Sequence, residues 1–219
     1  MNLEFENTRR FWGNEVVRGN LIWPDENVIR FVKRNYKPGN IILDFGCGTG
    51  RNAVALSKDG YNCIAMDYTE KAINFIKQKA KEENLNISTV KNTGFEVPLQ
   101  ENSVDGIIAD GSLFFNKKSD NVTILTNLAK VLKPDGKFWA NWRTKRDFLF
   151  AQGMDMGEGL YKLETGTKRE GCCYFFADEK DVIEMYEMSK LSIETLDDYE
   201  YTDNNRTIMN SYYHVVAKK

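Results

Sequence analysis

The stretch Ile41-Ile42-Leu43-Asp44-Phe45-Gly46-Cys47-Gly48-Thr49-Gly50 decides the fold class of this chain. Ile41-Ile42-Leu43 is a short apolar run of the kind that forms a buried strand, and it runs into glycines at alternate positions. Beyond the glycines, Ala53, Val54 and Leu56 supply an apolar helical face that Gly60 closes. Strand, turn and helix thus follow one another. Gly46, Gly48 and Gly50 permit a tight turn and let a ligand reach the backbone without a Cβ in the way. The start of the next helix adds free N–H groups and a positive dipole end, so a nucleotide-like ligand belongs there.

Working outward, strands and helices alternate from Asn40 to about Trp142, the pattern of a parallel sheet covered by crossover helices. A second strand, Asn62 to Met66, ends at Asp67, and Thr69 is placed to cap a helix carrying Ala72, Ile73, Ile76 and Ala80. Strands follow at Ile87 to Lys91 and Gly106 to Ala109, then a helix with Val122, Leu125, Leu128 and Leu132. A turn at Pro134-Asp135-Gly136 leads into a strand from Phe138 to Trp142. From Lys145 to Gly171 periodicity is lost and glycines stand at 153, 157, 159, 166 and 171, so this stretch is expected to be an irregular insertion. Asp178 should cap a helix whose Val182, Ile183 and Tyr186 face inward. Ser192 to Tyr201 and Met209 to Ala217 then form an antiparallel hairpin around Asp203-Asn204-Asn205. The expected fold is α/β, a doubly wound, mostly parallel seven-stranded sheet with helices on both faces and that terminal hairpin.

At 219 residues the chain suits one well-buried domain. Within it, residues 1–39 are expected to form a helical lid, 40–142 a ligand-binding core, 143–171 a substrate-side insertion, and 172–219 a helix and hairpin. Thirty basic against 32 acidic residues give a net charge of −2, without the surplus that long nucleic-acid contacts require. Arg30, Lys33, Arg34 and Lys37 follow one helical face and read as a solvated surface. Cys47, Cys63, Cys172 and Cys173 make no disulfide framework, and with His214 as the sole histidine and no Cys-x-x-Cys, no metal site is expected. The polar start of the chain and the lack of an 18-residue apolar run point to a cytoplasmic protein with no membrane partner.

Asp67 lies 19 residues beyond Gly48, close to the spacing at which an acidic side chain grips ribose hydroxyls. A dinucleotide site would place its third glycine at position 51, which is Arg51. The pattern present, Asp-x-Gly-x-Gly-x-Gly, instead resembles motif I of the class I S-adenosylmethionine-dependent methyltransferases. The resemblance runs from Asn40 to Trp142 and includes the acidic strand end at Asp67, Asn92-Thr93-Gly94-Phe95, Glu96-Val97-Pro98, Ser103-Val104-Asp105 and Leu132-Lys133-Pro134-Asp135-Gly136. Gly50-Arg51-Asn52 and the run from Asn84 to Thr89 look similar to the tellurite-resistance type, among small-molecule methyltransferases.

The resemblance implies S-adenosylmethionine as cofactor and a small-molecule methyl acceptor, in a monomer or homodimer. It implies cofactor contacts from Asp44, Phe45, Gly46, Cys47, Gly48, Gly50, Arg51 and Asn52 on the first turn, and from Asp67 and Tyr68 after the second strand. Asn92, Thr93, Gly94 and Phe95 stand after the third strand, where Asn92 or Thr93 replaces the family's adenine-contacting Asp. Asp110 belongs beside the reactive methyl, as a base for an acceptor oxygen of high pKa, as a positioning group, or as a cap of the next segment. The segment Asn7 to Pro24, with Phe11, Trp12, Trp23, Arg10 and Arg18, is expected to cover the cofactor, Trp12 touching it. The rival reading makes Trp12, Trp23, Phe11 and Tyr36 core or staple residues. His214 reads as structural. A cofactor-binding protein without turnover, and an RNA or protein methyltransferase, are the alternatives.

Overall fold

A computed structural model describes residues 7–8, 10–14, 22–164 and 169–219. Arg18 and Gly166 lie outside these residues.

The first strand, β1 (Ile41–Phe45), is buried because it runs through the middle of the sheet. It pairs in parallel with β2 (Asn62–Asp67) on one side and β4 (Val104–Ala109) on the other, so Leu43 is flanked by Ile64 and Ile107. β3 (Ile87–Lys91) extends the β2 side and β5 (Leu132–Arg143) the β4 side, both parallel. The chain returns at its far end as β9 (Ser192–Asp203) and β10 (Ile208–Lys218), antiparallel to each other, with β10 seated against β5. The order is β3-β2-β1-β4-β5-β10-β9, the doubly wound seven-stranded sheet with terminal hairpin that the sequence predicts.

Helices cover both faces. On one, α1 (Glu26–Asn35), α2 (Arg51–Lys58) and α3 (Glu70–Glu82) bury Val28, Phe31, Leu56 and Ile76 against Ile42, Ala65 and Trp139 of the sheet. On the other, α4 (Lys118–Val131) and α5 (Glu179–Met188) bury Leu125, Leu128, Val182 and Tyr186 against Phe138 and Trp142. Caps start these helices as expected: the Thr69 hydroxyl accepts from Ala72 N, and Asp178 and Asp181 exchange reciprocal bonds at the start of α5. Tyr36 is a staple, its hydroxyl paired with both the amide and the carbonyl of Lys137.

Three expectations need correction. Ile183 is exposed, because α5 turns Val182, Met185 and Tyr186 inward at three- and four-residue spacing and leaves Ile183 about 100° to the side. Pro134-Asp135-Gly136 is a bulge within β5 rather than a turn ahead of it: the register slips between Val104 and Gly106, and Asp135 takes φ 63°. The described part of the stretch after residue 145 is not irregular throughout. β6 (Gly153–Asp155) and β7 (Leu160–Leu163) join β8 (Cys173–Phe175) in a second antiparallel sheet packed over the carboxyl end of the main one.

Candidate functional site

The β1–α2 turn is held by the strand beside it. Gly46 N and Cys47 N donate to Met66 O at 2.8 and 3.0 Å, and Gly48 N donates to Asp67 Oδ2 at 3.0 Å. The other Asp67 oxygen accepts from the amide and hydroxyl of Thr69. The glycines take φ of 72°, 52° and 71°, the left-handed region. Each has its own reason to be glycine. A Cβ on Gly46 would sit 2.3 Å from Ser112 Cβ, one on Gly50 would sit 2.8 Å from Ile76 Cγ1, and one on Gly48 would meet no described atom within 4 Å. Gly48 therefore presents bare backbone to the cavity it lines.

That cavity, about 470 Å³, opens at the carboxyl ends of β1, β2, β4 and β5, where ligands of open α/β sheets bind. It collects Asp44 to Gly48, Arg51, Asn52, Asp67, Tyr68, Asn92, Gly94, Phe95, Asp110 and Trp12. Of the residues the sequence reading nominated, Gly50 and Thr93 do not line it: Gly50 serves the packing of α2 on α3, and Thr93 is exposed. Asn92 has a specific defect. Its amide nitrogen donates to Glu96 O at 3.2 Å, while its buried Oδ1 has no partner among the described residues. An orphaned acceptor in a cavity wall is a place for a ligand N–H.

Asp110 is tightly engaged. Oδ2 accepts from Arg51 at 2.5 Å and from Asn52 at 3.0 Å, and Oδ1 accepts from Asn141 at 2.9 Å. Asn52 Oδ1 in turn accepts from Asp25 N, so Asp110 ties together the ends of β4 and β5, the start of α2 and the start of α1. Burial, and then the nearby Asp110 charge, push the Asp44 carboxyl from its ordinary 3.8 up to about 7. Between these two pH values folding takes up a proton, so the stability contributed at this position falls as pH rises through the window. Asp44→Asn is accordingly expected to raise the melting temperature more at pH 8 than at pH 5, the stability gained by the substitution differing by on the order of 3 kcal/mol between the two pH values. Thermal unfolding of both proteins at the two pH values checks this; equal shifts would remove the carboxyl charge as the cause.

The half of the cavity that the sequence reading missed comes from the far side of the sheet. In the β5–β10–β9 register Arg143 faces Tyr212 and then Tyr199, while Asn141 faces His214, and all five line the cavity. His214 stacks on Tyr199 at 4.5 Å and its pKa is lowered by burial, so it is a wall residue of the cavity and not only structural. The sequence signal is the alternation Asn141-x-Arg143, Tyr199-x-Tyr201 and Tyr212-x-His214, which puts polar and aromatic side chains on one face. The N-terminal segment contributes Trp12, whose ring is tilted against Phe115 at 5.4 Å, and Thr8, whose hydroxyl accepts from Cys173 N. Phe11 packs against the core, whereas Trp23 is 79% exposed and fits neither core nor cavity wall.

No metal-binding cluster occurs among the described residues, the four cysteines are buried thiols, and no described helix is long and apolar enough to cross a membrane. Residues 42–136 match the family model described as "Methyltransferase domain". Over 87 residues the chain is 36% identical to a probable S-adenosyl-L-methionine-dependent methyltransferase TehB of Haemophilus influenzae, covering 40% of this chain and 30% of that protein. It spans less than half the length of the curated relatives it matches. A S-adenosylmethionine-dependent methyltransferase of Methanosarcina mazei superposes with a TM-score of 0.74 at 16% identity, over 86% of this chain and 96% of that one. The 1,6-didemethyltoxoflavin-N1-methyltransferase of Burkholderia thailandensis, solved with S-adenosylhomocysteine, gives 0.71 at 19% identity, over 97% and 87%.

Proposed function

We propose, from the match of residues 42–136 to a methyltransferase domain and from the fold, that this chain transfers a methyl group from S-adenosylmethionine to a small-molecule acceptor. The observation that carries this reading is one cavity in which the bare backbone at Gly48, the Asp67 carboxylate and the orphaned Asn92 Oδ1 stand together.

These residues fit the cofactor. Asp67 Oδ1 accepts twice from Thr69 and Oδ2 once from Gly48, so of the about four hydrogen bonds a carboxylate accepts, one on Oδ2 is left for a ribose hydroxyl. Asn92 Oδ1 suits an adenine amino group, the bond from Asn92 Nδ2 to Glu96 O having fixed which way the amide points. Asp44 is a carboxyl that burial disfavours as an anion, and a neighbouring cation restores its charge. When bound, S-adenosylmethionine supplies a methyl on a sulfonium for in-line displacement. The chain's own part is to align, to enclose and to exclude water. Bonded to Arg51, Asn52 and Asn141, Asp110 serves as a positioning residue at the meeting of β4, β5 and α2. The helical segment at residues 10–14, with Trp12 on the wall, and the second sheet close the cavity from above, as a lid and a substrate-side insertion.

S-adenosylhomocysteine is expected to raise the melting temperature in proportion to the logarithm of its concentration, and NAD to leave it unchanged. Release of S-adenosylhomocysteine from S-adenosylmethionine over a panel of small acceptors then distinguishes turnover from binding alone. A shift with NAD and none with S-adenosylhomocysteine would overturn the proposal.

A further inference from the structure

The acceptor end of the cavity is built around a buried guanidinium. Arg143, at the end of β5, is 4% exposed and lines the cavity. Its Nη1 donates to Asp147 Oδ2 at 2.5 Å. That carboxylate is also served by Leu149 N and Ser211 N, at 3.0 and 3.1 Å. Yet the buried Nε of Arg143 has no partner among the described residues. The rings of Phe114, Tyr174 and Tyr212 surround the guanidinium, with centroids 5.4, 5.6 and 4.8 Å from its central carbon, so its plane cannot swing to find another acceptor. Arg169 approaches the same Tyr174 ring at 5.8 Å and Trp12 at 5.9 Å, which puts a second guanidinium at this end.

We propose that the methyl acceptor is a planar aromatic acid whose anionic group docks on the Nε edge of Arg143 beneath the ring cage of Phe114, Tyr174 and Tyr212. The inference rests on the reading of the other end of the cavity as the methyl-donor site. A fixed guanidinium edge with an unmet donor matches a carboxylate in shape and charge. A cationic amine would meet two arginines, and a neutral molecule would leave the buried donor poorly paired. Flat walls from Phe115 and Tyr199 admit a flat ring.

The test uses the full chain saturated with S-adenosylhomocysteine and titrated calorimetrically with salicylate and 1-hydroxy-2-naphthoate, their neutral amides, and the cation tyramine. At least one acid is expected to bind about tenfold or more tightly than its amide, as one charge-assisted bond implies, with tyramine bound most weakly. Arg143→Gln/Asp147→Asn removes the pair without leaving a lone buried charge. Its expected result is loss of the preference for the acid while S-adenosylhomocysteine binding reports an intact donor site. Arg169→Gln leaves the Arg143–Asp147 pair in place and should reduce acid affinity by itself, so the test survives if the double variant does not fold. Equal affinity for acid and amide, tighter binding of tyramine, no measurable binding of either acid, or a preference that persists in both variants would overturn the inference. Failure of the unmodified chain to bind S-adenosylhomocysteine would instead overturn the donor-site reading beneath it.

Discussion

Replacing Gly46 with alanine is expected to destabilise the protein by about 2–5 kcal/mol and to abolish S-adenosylhomocysteine binding. Two costs add. An alanine held at φ 72° forfeits about 1–2 kcal/mol in the left-handed region. Its Cβ would also lie 2.3 Å from Ser112 Cβ, an overlap with an atom fixed to backbone rather than with the end of a flexible side chain. Overpacking of this kind adds about 1–3 kcal/mol. The turn must shift to relieve it, and the shift carries Cys47 and Gly48 away from Met66 O and Asp67. Gly48→Ala faces only the first cost as far as folding goes, because its Cβ meets nothing. Ser112→Gly removes the colliding atom, so the pair Gly46→Ala/Ser112→Gly should recover about half of the lost stability or more, beyond additivity. Denaturant unfolding of the unmodified protein, the three single variants and the pair measures this. A Gly46→Ala protein as stable as Gly48→Ala would show that the turn tolerates the clash.

Asp67→Ala is expected to weaken S-adenosylhomocysteine binding by at least about tenfold, since each charge-assisted bond to a ribose hydroxyl contributes about 1.5–3 kcal/mol. The same substitution also strips acceptors from Gly48 N, Thr69 N and the Thr69 hydroxyl, so, contrary to what spacing alone suggests, it will lower stability as well. Affinity alone would then confuse direct contact with a loosened turn. A 2′-deoxy form of S-adenosylhomocysteine separates them. If Asp67 holds the ribose, the unmodified protein discriminates against the deoxy ligand and the Asp67→Ala protein does not; discrimination retained in the folded variant would remove Asp67 from the ribose site.

The end of the cavity at β1 and β2 was legible in sequence because its signals are local. Gly46, Gly48 and Asp67 are set by one strand–turn–helix–strand unit, in which the distance along the chain fixes the distance in space. The end at β5, β10 and β9 was not, because nothing in the spacing of Arg143, Tyr199 and Tyr212 says that β10 lies between β5 and β9; only the sheet order brings them together. The second sheet escaped for a different reason: β6 and β8 have three residues each, too few for a period of two to show. Asn92 was nominated for its place after β3, but that its Oδ1 is left over depends on Glu96 O having taken the other end of the amide.

The sheet order also bears on how this chain is made. β10, which leaves a ribosome after β9, enters an interior position, while β9, finished earlier, ends at the edge. Until residues 208–218 emerge, β5 carries an open flank of unpaired amides and carbonyls beside the buried Phe138, Ala140 and Trp142. The nascent chain therefore exposes a hydrophobic pairing edge while the residues between β5 and β10 are made, the interval in which chaperone binding or wrong association between chains is most costly.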